Sequence, residues 1–211
     1  MAMNYRIYVD TGVGGFAELP VPGAMTYGLQ DISAANAGRT ESTKMMKDRI
    51  GKAPKIELTY NNQYTNTVTT ALSLVKNQYI YILYQDLENG GGYAYGEFYR
   101  GDVTAQVYNG VLDIWSSTKF SLIKRDGKEG VACIAHEDVV FTSSGSQSVS
   151  KNVSALGTVA TVSSISRSGT VNAEMANSTT CAISIGAGRA EGTVILKNAS
   201  GQTIIYEVSG N

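Results

Sequence analysis

Alternation of apolar and polar residues runs through most of the chain and predicts β-strands, because successive strand side chains point to opposite faces. In the first two thirds, strands are predicted at 5–10, 25–32, 55–60, 78–86, 93–100, 102–108 and 111–126. The last of these is long enough to contain a bulge, which we predict at Ser116–Ser117. The loop before residue 25 is rich in Gly and Pro and supplies turns.

One segment departs from the strand pattern and predicts an α-helix over 66–77. Its apolar residues between Val68 and Val75 recur at the i, i+3, i+4, i+7 spacing, and Thr65 or Asn66 can cap the start. The first part of the chain is therefore expected to be mainly β, a β-sandwich or barrel with one flanking α-helix.

The composition changes near residues 142–148, within "FTSSGSQSVSKN". Trp115, all three prolines and most of the 13 tyrosines precede this stretch, whereas Tyr206 is the one aromatic residue after it. The later residues show strand patterns every ten to twelve residues, separated by Gly, Asn and Ser, as in a small antiparallel sandwich. We predict two domains, 1–141 and 142–211, joined at a Ser/Gly-rich linker.

Composition and charge exclude several classes of protein. The 211 residues carry a formal net charge of −1, without the basic excess of a dedicated nucleic-acid binder. There is neither a bilayer-spanning apolar run nor a signal peptide, so folding in a cytoplasm is expected. In that reducing compartment Cys133 and Cys181 are expected to remain free thiols.

Candidate catalytic chemistry is weak. His136 lies near Cys133, Glu137 and Asp138, but Cys-x-x-His supplies only two metal ligands and a poor nucleophile–base geometry. The glycine runs at 12–15 and 90–92 do not precede a helix, so they predict hairpin turns and not a phosphate cradle. No enzyme activity, metal or cofactor is expected.

Five tyrosines lie on two neighbouring predicted strands, at alternate positions that point to the same face of each strand: Tyr79, Tyr81, Tyr93, Tyr95 and Tyr99. If the strands pair through the "ENGGG" turn, the rings form a ladder on one face. That face is either a core of amphipathic rings or a protein-contact surface, and cross-strand pairing favours the core.

The stretch "AGRTESTKMMKDRIGKAPK" (37–55) has six basic and two acidic residues and no strand or helix period. Nucleic-acid binding, phosphate binding and a contact arm are the alternatives. The first lacks interleaved aromatics and the second lacks a helix N-terminus, whereas a long excursion between strands suits an arm. The predicted subunit-contact residues are Arg39, Lys44, Met45, Met46, Lys47, Asp48 and Arg49.

Part of this stretch resembles a known protein family. Gly38-Arg39, Met46 and Asp48-Arg49-Ile50 resemble the shared segment of small tail-region proteins of siphophages and prophages. "FYRGDVTAQVY" and "KFSLIKRDG", with Trp115 between them, are similar to that family's closing strands, so the resemblance covers about 1–126. Pro54 departs from the family's usual basic residue. Residues 142–211 look like the bacterial Ig-like modules appended to virion proteins.

The resemblance implies a tail-tube-like β-sandwich followed by a small Ig-like β-sandwich. It implies a virion structural protein of a long non-contractile tail, assembled in the host bacterial cytoplasm into hexameric rings. The implied partners are further copies of the chain, in ring and ring-stack contacts, and other tail proteins such as the tape measure. A distal-tail or tail-completion protein, a host-surface adhesin that binds glycan through the Ig-like domain, and a nucleic-acid-associated protein remain alternatives.

Overall fold

The computed structural model describes residues 5–12, 14–33, 38–39, 45–46, 49–88, 90–126 and 129–210. The chain forms two compact units. The composite unit contains Met1–Glu18, Leu83–Tyr95 and Gly130–Asn211, and the hairpin unit contains Leu19–Ile82 and Gly96–Glu129. The fold is mainly β, as the sequence predicts.

Two elements, β7 (Ile80–Asp86) and β8 (Gly92–Arg100), contribute to both units. The other elements of the hairpin unit are β3 (Ala24–Ser33), β4 (Gly38–Arg39), β5 (Met45–Met46), β6 (Arg49–Tyr64), α1 (Thr65–Leu74), β9 (Thr104–Asn109) and β10 (Ile114–Lys124). Those of the composite unit are β1 (Tyr8–Asp10), β2 (Phe16–Glu18), β11 (Val131–Ala132), β12 (Ala135–Phe141), β13 (Gln147–Asn152), β14 (Val159–Ser168), β15 (Val171–Asn177), β16 (Thr180–Ile185), β17 (Ala190–Asn198) and β18 (Thr203–Gly210).

In the hairpin unit, β10 pairs with β6 along one edge and with β8 and β9 along the other, and β3 pairs with β6. The predicted apolar face of the 55–60 strand is buried, with Ile56, Leu58 and Tyr60 at 2% exposure or less. The Tyr60 ring stacks on Phe120, with 5.9 Å between the centroids. Helix α1 packs on β6 and β10. The bulge prediction is confirmed by a register shift between β9 and β10 at Trp115/Ser117.

The helix begins at Thr65, and the cap prediction is wrong. Tyr64 occupies the N-cap position and makes no side-chain cap hydrogen bond. The Asn66 side chain accepts the Thr67 N–H at 2.7 Å, but from within the first turn. The Thr65 hydroxyl instead donates to Asp113 and accepts a hydrogen bond from the Trp115 indole at 2.7 Å. These contacts tie the helix start to the turn that precedes β10.

The composite unit contains a sandwich of two sheets. One sheet has the order β12-β18-β17-β14, in which β12 pairs with β18 in parallel. The other sheet has the order β13-β16-β15. The core between them contains Leu156, Cys181, Ile183 and Val194, all at 3% exposure or less. Cys133 and Cys181 are free thiols. Sequence reasoning missed strands β12 and β13, because β13 (QSVSKN) is polar and lies inside the stretch interpreted as a linker.

The four-stranded sheet also buries its other face. Ile195 and Ile205 pack there with Tyr8, Phe16 and Tyr93 in a second apolar cluster of the composite unit. The glycine run at 12–15 forms the β1–β2 hairpin turn, as predicted, with Gly12 and Gly15 at positive φ. A side chain at Gly15 would lie 2.1 Å from the Ser163 hydroxyl, which accepts the Phe16 N–H at 2.9 Å. The predicted domain boundary near 142 stays a prediction, and residues 130–211 share their compact unit with residues 1–18 and 83–95.

Candidate functional site

The predicted excursion at 33–54 contains a two-stranded ribbon. Within the described residues, Leu29–Ser33 of β3 and Arg49–Pro54 of β6 pair with each other alone, whereas β6 pairs with β10 from Lys55 onward. Beyond them Gly38–Arg39 pairs with Met45–Met46. We call these four paired segments the ribbon arm. Strand β6 thus begins at Arg49, six residues before the predicted start. The hydrogen bonds to β3 form this part of the strand, although its sequence has no alternation of apolar and polar residues.

The predicted contact residues fall on this arm only in part. Arg39 and Met45 face each other in the β4–β5 ladder, Met46 pairs with Gly38, and Arg49 pairs with Ser33. Lys44, Lys47 and Asp48 lie outside the described residues. A two-stranded ribbon without a third strand is only marginally stable in water. The arm is therefore the part of the hairpin unit most in need of a surface to pack on.

A second surface, which sequence reasoning missed, lies at the turn between β9 and β10. The side chains of Val107, Tyr108, Val111 and Leu112 are 54–94% exposed, and Tyr64, which pairs with Ile114 of β10, is 60% exposed. We call these five residues the apolar tip. Exposed apolar residues that cluster in this way mark interaction surfaces. The signal in the sequence is an apolar Val-Leu pair directly after an Asn-Gly turn, where polar residues are expected.

The turn that carries the apolar tip is fixed by its own sequence. Asn109 accepts the backbone N–H groups of Val111 and Leu112 at 2.9 and 3.1 Å. Strand β9 itself is exposed along nearly its whole length and, in the part of the chain that the structure describes, pairs with β10 only. Such an edge offers unpaired backbone groups to another chain.

A third surface of the hairpin unit is a groove of about 480 Å³ lined by Lys76, Asn77, Gln78, Tyr79, Tyr99, Arg100 and Arg125. We call it the basic groove. The Arg125 guanidinium lies 4.0 Å from the centre of the Tyr79 ring and donates to Glu97 at 2.8 Å. This hydrogen bond raises the pKa of Arg125. Among the residues described, no carboxylate forms an ion pair with Lys76 or Arg100.

The tyrosine pattern divides between core and surface. Tyr93 is buried in the composite unit, where burial raises its pKa to about 12, and Tyr95 is partly buried beside Phe16. Tyr79, Tyr81 and Tyr99 are 37–46% exposed in the hairpin unit. The core interpretation is therefore confirmed for Tyr93, and contact with another protein through the three exposed tyrosines stays a prediction.

The composite unit contains a charged cluster centred on Arg167. Its guanidinium forms ion pairs with Glu207 at 2.8 Å and with Glu18 at 3.0 Å, and donates to the Thr193 hydroxyl at 2.7 Å. Tyr8 donates to Glu207 at 3.1 Å. The guanidinium and both carboxylates have side-chain exposures of 14–23%. Because the partners come from residues 8–18 and 167–207, the cluster joins distant parts of the chain within one unit.

The charges in this cluster stabilise one another. Burial alone would raise the pKa of Glu207, but contacts with His136, Arg167 and Thr193 outweigh it and lower the pKa to about 2. Burial opposes the charge of Arg167 as well, yet its hydrogen bonds to Glu207 and Glu18 raise its pKa. The His136 Nε2 lies 3.8 Å from the Glu207 carboxylate. His136 is thus beside a charged cluster. The Cys133 thiol, its candidate partner in the sequence, instead donates to the backbone carbonyls of Ala135 and Thr203.

Acid should weaken the composite unit through Glu207. The folded-state pKa lies below the ordinary value of 4.5, so its contribution is complete above that value and is lost as pH falls towards 2. The loss should reach about 3 kcal/mol, which is the shift converted to free energy. Urea unfolding followed by circular dichroism between about pH 6 and pH 3 should show this slope in the wild type.

The matched variants for this measurement are Glu207→Gln and Glu174→Gln. The first should be less stable at neutral pH and show a flatter profile, whereas the second, at an exposed site on β15, should keep the wild-type profile. An unchanged slope in Glu207→Gln would show that other carboxyl groups control the acid response.

Metal-site and membrane signals are absent from the described ranges. No cluster of three or more His, Cys, Asp or Glu residues suited to a metal ion occurs there. No helix among them is long and apolar enough to cross a membrane.

Comparison with known proteins gives a similarity of structure and no match of sequence family. No protein-family model matches the chain, and no curated protein matches it either. Among solved structures, it is similar to a chain from the tail of an empty GTA particle determined by helical refinement with C6 symmetry. The similarity covers 63% of this chain and 98% of the GTA chain, at 12% identity and a TM-score of 0.43. These values lie below the level at which a shared fold or function follows.

Proposed function

We propose that the chain is a structural protein of a phage-type long non-contractile tail that self-associates, as a tail tube subunit, into rings. The observation that carries the proposal is the ribbon arm, which extends past the sheet without a third strand in the described residues. A ribbon of this kind gains stability when it packs on a neighbouring subunit. The resemblance of residues 1–126 to tail-region proteins supports the same role.

Two other features support self-association. The open edge of β9 can pair with another chain, and the apolar tip beside it supplies area whose burial favours binding. The proposed role is non-enzymatic. Its partners are copies of the same chain and other tail proteins such as the tape measure, and its location is the virion tail after assembly in the host cytoplasm.

For the C-terminal sandwich we propose an Ig-like module. Its four-stranded and three-stranded sheets support this assignment, and so does the parallel pairing of β12 with β18. Glycan binding by this module is less well supported, because Tyr206, the one aromatic residue after 142, is buried and offers no exposed ring for a sugar. A distal-tail or tail-completion protein would share the fold and differ in its contacts.

The test is the assembly state of the full chain. Light scattering after size exclusion, together with negative-stain microscopy over a range of concentrations, should show rings or stacked rings. A protein that stays monomeric at the highest concentration reached would overturn the proposed function.

Charge reversal on the arm should abolish assembly while the fold remains. The variants are Arg39→Glu and Arg49→Glu on the arm, and Asp48→Lys, which precedes Arg49 in sequence, separately and combined. Charge complementarity at an interface fixes register and partner choice, and like charges placed opposite each other there cost several kcal/mol. Light scattering should report monomers, and the melting temperature should change little.

A control charge reversal, Arg189→Glu, lies at an exposed site of the composite unit and should leave assembly unchanged. Assembly that survives all three arm reversals would show that the ribbon arm makes no essential subunit contact.

A further inference from the structure

The basic groove has the properties of a preorganised binding site for carboxylates. Arg125 is held in place from two sides, by the Tyr79 ring and by Glu97, so only one edge of its guanidinium is engaged by the hydrogen bond to Glu97. A guanidinium has five N–H donors, and fixed donors lose little entropy when they bind a planar anion. Lys76 and Arg100 add two cations without ion pairs among the described residues.

The two units of the chain carry opposite charge. The hairpin unit has 12 Lys and Arg against 9 Asp and Glu, and the composite unit has 5 against 9. The hairpin unit is thus net positive, by three charges, and the composite unit is net negative, by four. Two copies of the chain therefore attract each other when the hairpin unit of one meets the composite unit of the other.

Most carboxylates of the composite unit are already engaged or buried. Asp10 is paired with Lys197, while Glu18 and Glu207 belong to the Arg167 cluster. Glu137 and Asp138 are adjacent, exposed and carried by β12, an edge strand of the four-stranded sheet. Glu137 forms an ion pair with Lys151 at 3.1 Å, but this pair lies at the surface, where the Glu137 side chain is 50% exposed. Neighbouring residues of a strand point to opposite sides. An edge of this kind presents one carboxylate on each side of the backbone.

We propose that the basic groove of one copy binds the Glu137–Asp138 edge of a second copy, in a head-to-tail contact. The inference rests on the proposed function and deepens it by naming a pair of contacting surfaces. A head-to-tail contact uses two different surfaces, so it repeats from copy to copy and generates rings or filaments.

The test is a charge swap between the two surfaces, measured in the full chain by light scattering and negative stain. The groove variant Lys76→Glu/Arg100→Glu and the edge variant Glu137→Lys/Asp138→Lys should each require at least about 10-fold more protein to assemble. An equimolar mixture of the two variants should assemble again, since each reversed surface then meets its complement. Lys119→Glu, an exposed lysine of β10 outside the groove, is the matched control and should assemble as wild type.

The outcomes separate the two proposals. A wild-type chain that never assembles overturns the proposed function and this contact together. A wild-type chain that assembles while the groove variant assembles equally well overturns the contact alone, and so does a mixture that fails to recover. Binding of a DNA duplex at low salt that is lost in the groove variant, with assembly unchanged, would assign the groove to nucleic acid instead.

Discussion

Replacing Arg167 with methionine should lower the free energy of unfolding of the composite unit by about 3 kcal/mol. The substitution removes the charge but keeps an apolar chain of similar length. Glu207 then loses its closest ion-pair partner at 2.8 Å, and Glu18 loses one at 3.0 Å while it keeps Arg6. Removal of one partner leaves poorly solvated carboxylates without compensation, which costs more than the intact pair contributes.

The measurement is urea unfolding followed by far-UV circular dichroism, with Trp115 fluorescence recorded in parallel. Trp115 is the one tryptophan of the chain and lies in the hairpin unit, so its signal reports that unit. The destabilisation should appear in the dichroism transition. Arg189→Met removes an exposed cation from the same unit and should change the stability by less than about 0.5 kcal/mol. Equal stability of Arg167→Met and wild type would mean that the cluster contributes nothing to the fold.

Removing the apolar tip should strongly weaken assembly. In the double variant Tyr108→Ser/Val111→Ser, the two most exposed side chains of the tip lose their apolar area. Interface residues of this kind commonly contribute about 2 kcal/mol or more, so the concentration needed for assembly should rise at least about 30-fold. The folded chain should be unaffected, since both side chains are 70–94% exposed.

Assembly of this variant is best followed by light scattering across a dilution series. Val21→Ser is the matched control, because Val21 is 58% exposed but lies outside the apolar tip, the ribbon arm and the basic groove. If the double variant and the control assemble at the same concentration as wild type, the tip is a solvent-facing turn and has no role in subunit contact.

The strands and the helix of the hairpin unit were largely predictable, because the alternation of apolar residues and the turn residues depend on neighbours in the sequence. Ile56, Leu58 and Tyr60 alternate and are buried, and the bulge near Ser117 lies where the alternation breaks. The helix cap was not predictable, since the Thr65 hydroxyl is engaged by Trp115 and Asp113, which are distant in sequence. The same limit applies to β13, whose polar residues form a strand because β16 supplies its partner.

The candidate surfaces were predictable to a lesser extent. The length and charge of residues 37–55 indicate that a long segment projects between two strands. They do not indicate that Arg49–Pro54 pairs with Leu29–Ser33 of β3. The basic groove requires Lys76, Tyr99 and Arg125 to meet from three separate segments, which no local pattern can indicate. The Arg167 cluster is harder still, because Glu18 and Glu207 are almost the whole chain apart.

That separation has a consequence for the order of events during synthesis. Tyr8 and Phe16 can complete their packing only after Ile195 and Ile205, which lie far along the chain, have been made. Contacts between such distant residues form slowly, because a long loop must close first. A chain that stalls before these residues therefore leaves Tyr8 and Phe16 without the apolar face on which they pack, although β7, the sheet neighbour of β1, is already present. The composite unit can therefore complete its second apolar cluster only after β17 and β18, which carry Ile195 and Ile205, have been made.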